Sequence, residues 1–300
     1  MTAGNRRVLV TGCSGMLGSA LSARFATTSH TIGADIVEPS SVVCADRHAL
    51  DITDEAACAR VIAEAAADVI VHCAALVDVD RAEADYSAAR TVNALGTRNV
   101  ARHARAGAKL VYISTDSVFD GRRGNYSETD LPCPVNNYAK SKLEGEWFVQ
   151  LEAENHLIVR TNFFGGSSAG KPSIASWIRD TLAEGGSPTL ADDWVFSTLF
   201  VDHLVDAIVA LVDADARGLY HVAGSEACSK YEFGVEVARA WGLDPSGIER
   251  CAFADLSLSA PRPRDASLDC SKAAAFLGRA LPTYREGIVA MRIAEDVRLP

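Results

Sequence analysis

The sequence predicts an α/β protein built on a doubly wound parallel sheet, and two observations carry this prediction. Short apolar runs of strand length alternate with stretches of helical periodicity through the first half of the 300 residues. The first run ends in a glycine-rich turn, "VLVTGCSGMLGSAL", which leads directly into a helix-like stretch. Nearly continuous apolar strands that alternate with helices are typical of a parallel sheet covered on both faces, as in the Rossmann fold.

Four apolar runs of the first half are predicted to be strands: "RRVLVTG", "HTIGAD", "VIVHCAAL" and "KLVYIST". Between them, Leu17, Leu21 and Phe25 recur at helical spacing, and two further stretches, "DEAACARVIAEAAA" and "SAARTVNALGTRNVARHARAG", are rich in alanine. The second stretch is predicted to end at Gly107, because glycine commonly follows the last turn of a helix.

The alternation loosens after the strand-like run "NHLIVRTNFFGG". Three helices ("SIASWIRDTLAEGG", "VDHLVDAIVALVDADARG" and "SKYEFGVEVARAWGL") and one short strand, "LYHVAG", are predicted, and "PRPRD" interrupts regular structure. We therefore expect a Rossmann domain over residues 1–160 and a smaller, partly interleaved C-terminal lobe over residues 161–300.

The bulk composition excludes several classes of function. The chain is 48% hydrophobic and 23% charged, with a formal net charge of -10, which argues against nucleic acid as a partner. No apolar run reaches the ~18 residues of a membrane span, and the first residues lack a signal-peptide pattern. The 8 cysteines are scattered without a C-x-x-C pair, so neither a metal site nor a disulfide framework is expected. A cytoplasmic location follows as the expectation.

The glycine turn has the spacing Gly12-x-x-Gly15-x-x-Gly18. In such a turn the first glycine permits the tight bend, the second lets the backbone approach a pyrophosphate, and the third lets helix and strand pack closely. The helix start that follows offers N–H groups and the positive end of the helix dipole to phosphates. The turn therefore predicts a dinucleotide site, although glycines needed only for packing would look the same.

Asp35 ends the second predicted strand, where an acidic side chain can hydrogen-bond the adenosine ribose hydroxyls and repel a 2′-phosphate. Glu38 follows and no basic residue stands close by in sequence, so NAD(H) is favoured over NADP(H). Asp51 begins a turn at another strand end and is a candidate for contact with adenine. The cap of the helix that follows belongs more naturally to Thr53 or Asp54.

Tyr138 and Lys142 stand at positions i and i+4 of a helix-like stretch and so share one helix face. A nearby ammonium is expected to lower the pKa of the phenol and make it a usable acid–base group. Ser114 and Thr115 are predicted at the carboxyl end of a strand, where open α/β sheets bind ligands and a hydroxyl can bond a substrate carbonyl. Alone, each feature occurs often by chance; in this order along one chain they are rare.

With these pieces in place, the chain resembles the extended short-chain dehydrogenases/reductases, and within them the dTDP-4-dehydrorhamnose reductases and their relatives. The matching segments span roughly residues 8–270: "VTGCSGMLG", "HCAALVDVDRAE", "VNALGTRNV", "STDSVFDG", "YAKSKLEGE", "VRTNFFG" and "RPRDASLD". The resemblance implies a nicotinamide-dependent reductase of a keto nucleotide-sugar, and no membrane or nucleic-acid partner.

The resemblance also implies a role for each matched residue. Thr115, Tyr138 and Lys142 would be the catalytic trio. The dinucleotide would be lined by Gly12, Gly15, Met16, Leu17, Gly18, Asp35, Asp51, Ile52, Ala74 and Ala75, with Asn93 supporting that side. The substrate would meet Ser114, Asp116, Phe163 and Arg262.

The chain departs from the family pattern on the substrate side. Ser117 stands where an aromatic residue is usual, Phe163 where sugar reductases have tryptophan, and Asp265-Ala266 where Asn-Ser is common; "DDWVFSTLF" matches only loosely. An acidic protein still needs cations for a diphosphate. The candidates are Arg160, Lys171, Arg179, Arg262 and Arg264, of which Arg262 is favoured because a guanidinium fork fits phosphate oxygens.

Three alternatives stay open. A related epimerase or dehydratase would keep its dinucleotide bound, and a non-catalytic subunit such as the β-subunit of methionine adenosyltransferase shares the same branch. "GSSAG", residues 166–170, fits the serine-hydrolase pattern, but the Lys-Pro that follows suits a loop. His72 is interpreted as a strand-end or core histidine. Helices around "VNALGTRNV" and "YAKSKLEGE" also make a homodimer through a four-helix seam possible.

Overall fold

The computed structural model describes residues 6–36, 42–166 and 172–298. The strands are β1 (Arg7–Thr11), β2 (His30–Asp35), β3 (Asp46–Ala49), β4 (Val69–His72), β5 (Lys109–Thr115), β6 (His156–Thr161), β7 (Phe163–Phe164), β8 (Thr189–Ala191), β9 (Val195–Phe196), β10 (Leu199–Phe200), β11 (Gly218–His221), β12 (Cys228–Ser229) and β13 (Glu249–Cys251). The helices are α1 (Met16–Ala26), α2 (Glu55–Ala65), α3 (Val79–Ala84), α4 (Tyr86–Arg90), α5 (Thr97–His103), α6 (Asn137–Glu152), α7 (Ile174–Ala183), α8 (Val201–Asp213), α9 (Lys230–Ala240), α10 (Ser271–Leu277) and α11 (Tyr284–Arg298).

Seven of these strands form one parallel sheet in the order β11-β6-β5-β4-β1-β2-β3. The four strands predicted in the first half are present, although β4 ends at His72 rather than continuing to Leu76. The edge strand β3 was not predicted, because its sequence "DRHA" is polar and mostly exposed and carries no apolar signal. The predicted doubly wound parallel sheet is confirmed.

The two faces of the sheet pack into two separate hydrophobic clusters. In β1, Val8 and Val10 join one cluster and Leu9 joins the other, since successive side chains of a strand point to opposite faces. The helices α2 and α5 pack together on the Leu9 face, and α1 and α8 pack together on the other. Burial on both faces explains why the central strands read as unbroken apolar runs.

The Ala-rich stretch after β4 forms α4 and α5, joined by a π-helical turn over Thr91–Gly96. The predicted C-terminus at Gly107 is wrong: α5 ends at His103, and Gly107 lies in the following turn with a φ of +81°. The π turn inserts an extra residue into the helical repeat, a feature often found at functional sites. It carries Asn93, whose role is described below.

The second half of the chain contributes β11 to the main sheet and forms three small two-stranded pairs: β7 with β10, β9 with β12, and β8 with β13. The predicted helices of this half are α7, α8 and α9, and "PRPRD" is irregular as expected. The division near residue 160 stays a prediction. Within the described ranges, the model contains no helix with the length and apolar character of a bilayer span.

Candidate active site

The glycine turn is held so tightly that it admits no side chain at two positions. Gly12 has a φ of +68°, and a Cβ there would lie 2.5 Å from the backbone nitrogen of Ala74, in the loop after β4. A Cβ on Gly18 would overlap the carbonyl oxygen of Gly12 and lie 2.9 Å from the Cα of Cys13. The turn and the first turn of α1 are therefore in direct backbone contact.

Gly15, in contrast, faces open space. A Cβ there would meet only the Gly12 carbonyl oxygen, at 3.3 Å. Gly15 is also the N-cap of α1, and no side chain caps this helix start. The first N–H groups of α1 are thus available to an anion, with no side chain between them and it. These residues fit the pyrophosphate of a dinucleotide. Met16 is half-buried, whereas Leu17 is buried in the core and offers only its backbone.

The Asp35 carboxylate stands at the carboxyl end of β2 beside this turn. It accepts hydrogen bonds from the backbone N–H of Ser14, at 2.9 Å, and of Ile36, at 2.8 Å. A carboxylate has about four acceptor positions, so it retains capacity for ribose hydroxyls. Asp51 is exposed and accepts from the N–H and hydroxyl of Thr53, and Asp54 caps α2 as expected.

Ile52 is buried with its side chain against Gly96 of the π turn, where a Cβ would lie 2.8 Å from it. Its carbonyl oxygen accepts a hydrogen bond from the Asn99 side-chain amide at 3.0 Å. Ile52 therefore connects the turn after β3 to the helix that follows β4. Ala74 and Ala75 are half-buried in the loop after β4.

Asn93 joins three segments of the site. Its side-chain oxygen accepts from the N–H of Leu76 at 2.7 Å, and its amide donates to the Leu76 carbonyl at 3.0 Å and to the Ser141 hydroxyl at 2.9 Å. Ser141 in turn donates to the carbonyl of Tyr138. The fully buried Asn93 thus fixes both the loop after β4 and the catalytic helix α6.

His72 is a core histidine, as predicted. Its Nδ1 lies 2.7 Å from the hydroxyl of Thr11, and its Nε2 lies 3.0 Å from that of Thr97. The Thr97 hydroxyl donates to the Asn93 carbonyl, so it must accept from Nε2, which assigns the ring proton to that nitrogen. Burial, followed by the charge of Lys142, lowers the pKa of His72 to about 3.

Tyr138 lies in the first turn of α6, and its hydroxyl is next to Thr115 at the end of β5. The Asn136 side chain caps α6 by accepting from the N–H of Ala139 at 2.8 Å, which sets where the helix begins. Burial raises the pKa of Tyr138 to about 12, while a hydrogen bond with Thr115 lowers it and the Asp116 charge raises it. The Thr115 hydroxyl accepts from the N–H of Ser117.

Lys142 is buried and does not act as predicted. Its Nζ donates to the carbonyl of Ile113 at 2.7 Å and lies 4.1 Å from the centre of the Tyr112 ring. Burial lowers the pKa of this amine to about 7, because the charged form is desolvated. The prediction that its charge lowers the pKa of Tyr138 is wrong in this structure, since burial dominates that pKa.

Two residues assigned to the substrate belong instead to a buried ion pair. The Arg160 guanidinium is bidentate on Glu146, at 2.9 and 2.7 Å, with side-chain exposures of 4% and 1%. Ser114 donates its hydroxyl proton to Glu146 at 2.5 Å. Ser114 and Arg160 are therefore both engaged with Glu146 in this structure, and their roles toward a substrate stay predictions.

Asp116 is buried directly beside Thr115. Its carboxylate accepts from the Asn162 amide at 2.8 Å, from the Ser117 hydroxyl at 3.1 Å and from the Thr115 hydroxyl at 3.2 Å. Burial raises its pKa, opposed by these hydrogen bonds and by the charge of Lys230. Phe163 directly follows Asn162 in the chain and is half-buried in β7.

The remaining predicted cations are paired with carboxylates. Arg262 contacts Asp80 at 2.9 Å, Arg264 contacts Asp193 at 3.1 Å, and Arg179 contacts Glu295. Arg262 thereby contacts α3, and the adjacent Pro261 carbonyl accepts from the Asn136 amide. Glu38, Lys171 and residues 167–170 of "GSSAG" lie outside the described residues.

The sequence reasoning missed Lys230, Trp194 and Phe196. The Lys230 Nζ lies 3.2 Å from the centre of the Phe196 ring and 5.4 Å from that of Trp194, and its charge acts on Asp116. Nothing in the local sequence marks these residues, because strand pairing between β9 and β12 brings them together. An open cavity of about 300 Å³ adjoins them, lined by Gly121, Arg122, Asp193, Val195, Arg264 and Asp265.

Both the open start of α1 and the Tyr138–Thr115 pair follow the carboxyl ends of strands in one parallel sheet, which makes the chain a dinucleotide-binding α/β protein. More narrowly, the chain belongs to the RmlD substrate binding domain family, whose family model matches residues 6–296.

Characterised relatives cover most of the chain. A dTDP-4-dehydrorhamnose reductase of Mycobacterium tuberculosis is 36% identical over 269 residues, or 87% of this chain and 84% of the relative. Methionine adenosyltransferase 2 subunit beta of Pongo abelii is 33% identical over 95% of this chain and 86% of its own. The structure of dTDP-4-dehydrorhamnose reductase from Bacillus anthracis in complex with NADP superposes with a TM-score of 0.88 at 29% identity, covering 97% of this chain and 99% of that one.

Proposed function

We propose that this chain is an NAD(P)H-dependent reductase of the keto group of a nucleotide-linked sugar, of the dTDP-4-dehydrorhamnose reductase type. The observation that carries the proposal is the contact between the Tyr138 helix and the end of β5, where Lys142, one turn after Tyr138, donates to the carbonyl of Ile113, two residues before Thr115. Relatives with this activity in their names align along most of the chain, which supports the same assignment here.

The residues act as follows in this proposal. A bound nicotinamide supplies the hydride. Tyr138, which a pKa of about 12 keeps protonated at neutral pH, gives its proton to the alkoxide oxygen that develops on the substrate. An alkoxide is more basic than a phenolate, so the transfer is favourable without a depressed phenol pKa. Thr115 hydrogen-bonds the same oxygen, and Asn93 and Ser141 hold the tyrosine in register.

Of the two roles that the sequence suggests for Lys142, tuning Tyr138 and holding the cofactor ribose, the proposal keeps the second. Its amine is buried behind Tyr138 and is held by the Ile113 carbonyl. We assign it to the nicotinamide ribose, whose hydroxyls can accept from an ammonium and donate to a neutral amine. Because its pKa is lowered to about 7, both forms are populated near neutral pH.

NADH is the proposed reductant rather than NADPH. The Asp35 carboxylate stands at the end of β2 beside the glycine turn, where it can accept from two ribose hydroxyls and would repel a 2′-phosphate. Within residues 6–36, 42–166 and 172–298, Asp35 makes no ion pair, and the bonds to its carboxylate come from the backbone N–H groups of Ser14 and Ile36.

A homodimer through α4, the π turn, α5 and α6 also belongs to the proposal. Trp147 and Leu151 lie one helical turn apart on α6 and are 60% and 76% exposed. Exposed large apolar side chains at this spacing favour a helix–helix interface.

The test is oxidation of NADH and of NADPH with dTDP-4-dehydrorhamnose and with other 4-keto nucleotide sugars. We expect turnover with a keto sugar and a preference for NADH over NADPH. In the Asp35→Ala variant the difference in kcat/KM between NADH and NADPH should become smaller. Thr53→Ala, beside Asp51 but remote from Asp35 in sequence, is the control and should keep the wild-type preference. An absence of turnover with every sugar, together with retained dinucleotide binding, would instead favour a non-catalytic subunit.

A further inference from the structure

Lys230 is the first residue of α9, and its position is fixed from both sides. Its backbone N–H donates to the Trp194 carbonyl at 2.9 Å, as part of the pairing between β12 and β9. On the helical side, Ser229 and Glu232 form a capping box that sets the start of α9. The side chain therefore leaves a rigid junction rather than a loop.

The Lys230 ammonium lies against two aromatic rings, and its charge acts on Asp116, the neighbour of Thr115. Its Nζ is 3.2 Å from the centre of the Phe196 ring, and Phe253 packs on Trp194 with ring centres 5.4 Å apart. Asp116 raises the pKa of Lys230, and Lys230 lowers that of Asp116. Asp116 also acts on Tyr138, so Lys230 and the reacting hydroxyl are neighbours of the same carboxylate.

Lys230 differs from the other cations of this region in lacking an oxygen partner. Arg262 and Arg264 each pair with a carboxylate, at 2.9 and 3.1 Å. Across the described ranges, no oxygen lies within hydrogen-bond or ion-pair contact of the Lys230 Nζ, although burial lowers its pKa only to about 8. An ammonium has three N–H donors, and on this half-buried residue they are left for water or for a ligand.

We propose that Lys230 binds an oxygen of the substrate's sugar ring, and that it is a specificity-determining residue of the site. This inference rests on the proposed function. A sugar oxygen is favoured over a phosphate because the negative charge of Asp116, which acts on the ammonium from beyond ion-pair distance, would oppose a second anion beside it. The half-buried Trp194 ring, 5.4 Å from the ammonium, offers apolar surface on which the C–H face of a sugar can pack, whereas Phe196 is buried beneath Lys230.

The experiment compares binding of dTDP-glucose and of dTDP to the full chain carrying Lys230→Met. The variant should lose about tenfold or more of its affinity for dTDP-glucose, as expected for a hydrogen bond from a charged donor, and keep its affinity for dTDP within about twofold. The dissociation constant for NADH should not change. Lys272→Met is the matched control, because Lys272 also lies over an aromatic ring, 4.3 Å from the centre of Tyr220, but donates to the Leu219 carbonyl.

Several results would overturn the inference. An equal loss of affinity for dTDP would move Lys230 to the diphosphate, and no loss for either ligand would leave it without a substrate role. Lys230→Gln, measured beside thermal unfolding of each variant, separates loss of binding from loss of fold. If the wild-type protein binds neither ligand, the proposed function fails; if it binds both and the variants match it, only this inference fails.

Discussion

The proposed dinucleotide side and the proposed substrate side of the site are held together by different kinds of contact. On the dinucleotide side, glycine backbone packs against backbone, and the buried amide of Asn93 joins the loop after β4 to α6. On the substrate side, charged side chains dominate, and pairs such as Arg262–Asp80 link residues far apart in the chain. The dinucleotide side therefore admits one backbone geometry. On the substrate side, charged side chains can exchange ion-pair partners while the backbone stays the same.

This difference predicts which positions tolerate substitution. A clash of backbone with a new Cβ cannot be relieved by a rotamer change, so Gly12 and Gly18 have no alternatives. A paired guanidinium on the surface contributes little stability, so its replacement costs little. We therefore expect the reaction and its dinucleotide to be shared with relatives, while the sugar bound varies.

The largest expected effect comes from the hydroxyl at the boundary of the two sides. Tyr138→Phe removes the proton donor and should lower kcat by about a hundredfold or more, because general-acid catalysis is lost. The dissociation constant for NADH, measured by fluorescence titration, should stay near the wild-type value. Near-normal turnover would remove Tyr138 from the mechanism.

Tyr126→Phe provides a matched control for that variant. The Tyr126 hydroxyl donates to Asp120 at 2.5 Å, in the segment that follows β5. Its loss should leave kcat within a few-fold of wild type. If both variants lost activity equally, the effect would be structural rather than catalytic.

A smaller effect is expected within the glycine turn. Gly18→Ala places a methyl group against the Gly12 carbonyl and should lower the free energy of unfolding by roughly 1–3 kcal/mol. Gly15→Ala meets only that oxygen, at 3.3 Å, and should be far less destabilising while still weakening NADH binding. Urea unfolding and NADH titration of both variants measure the contrast. Equal destabilisation would show that the turn is packed alike at both positions.

The two sides also differ in how much of them the sequence predicts. The strand ends, the glycine turn and the Asp54 cap depend on neighbours in the chain, so periodicity and spacing are sufficient to locate them. From the sequence alone Arg160 is interpreted as a free cation, because only the fold brings Glu146 next to it. Lys230 is likewise interpreted as no more than the start of a helix, because its contact with β9 depends on the pairing of distant strands. The extra residue of the π turn leaves no signal in apolar periodicity. Contacts between distant segments decide these cases.

The smallest expected effect is a pH dependence of the free energy of unfolding, to which two buried histidines, His72 and His221, contribute. Burial lowers the pKa of His72 to about 3 and of His221 to about 4, from 6.5. Their contribution to stability is complete above pH 6.5 and declines as the pH falls, because the unfolded chain then binds more protons. Between pH 6.5 and about pH 5.5, each should lower the free energy of unfolding by about 1 kcal/mol.

His221→Gln tests this dependence on the substrate side. The Nδ1 of His221 lies 2.9 Å from the Tyr126 carbonyl, and glutamine can donate there without titrating. The variant should lose about 1 kcal/mol less than wild type over that interval in urea unfolding. An equal loss would mean that His221 is not titrated differently by folding.

The Asn93 amide has a consequence for motion. A displacement of α6 away from the loop after β4 would break either the hydrogen bond from Asn93 to Ser141 or the two hydrogen bonds between Asn93 and Leu76. The helix that carries Tyr138 and the loop after β4 should therefore move together. Conformational change on ligand binding should then leave the half of the site that carries Tyr138 rigid.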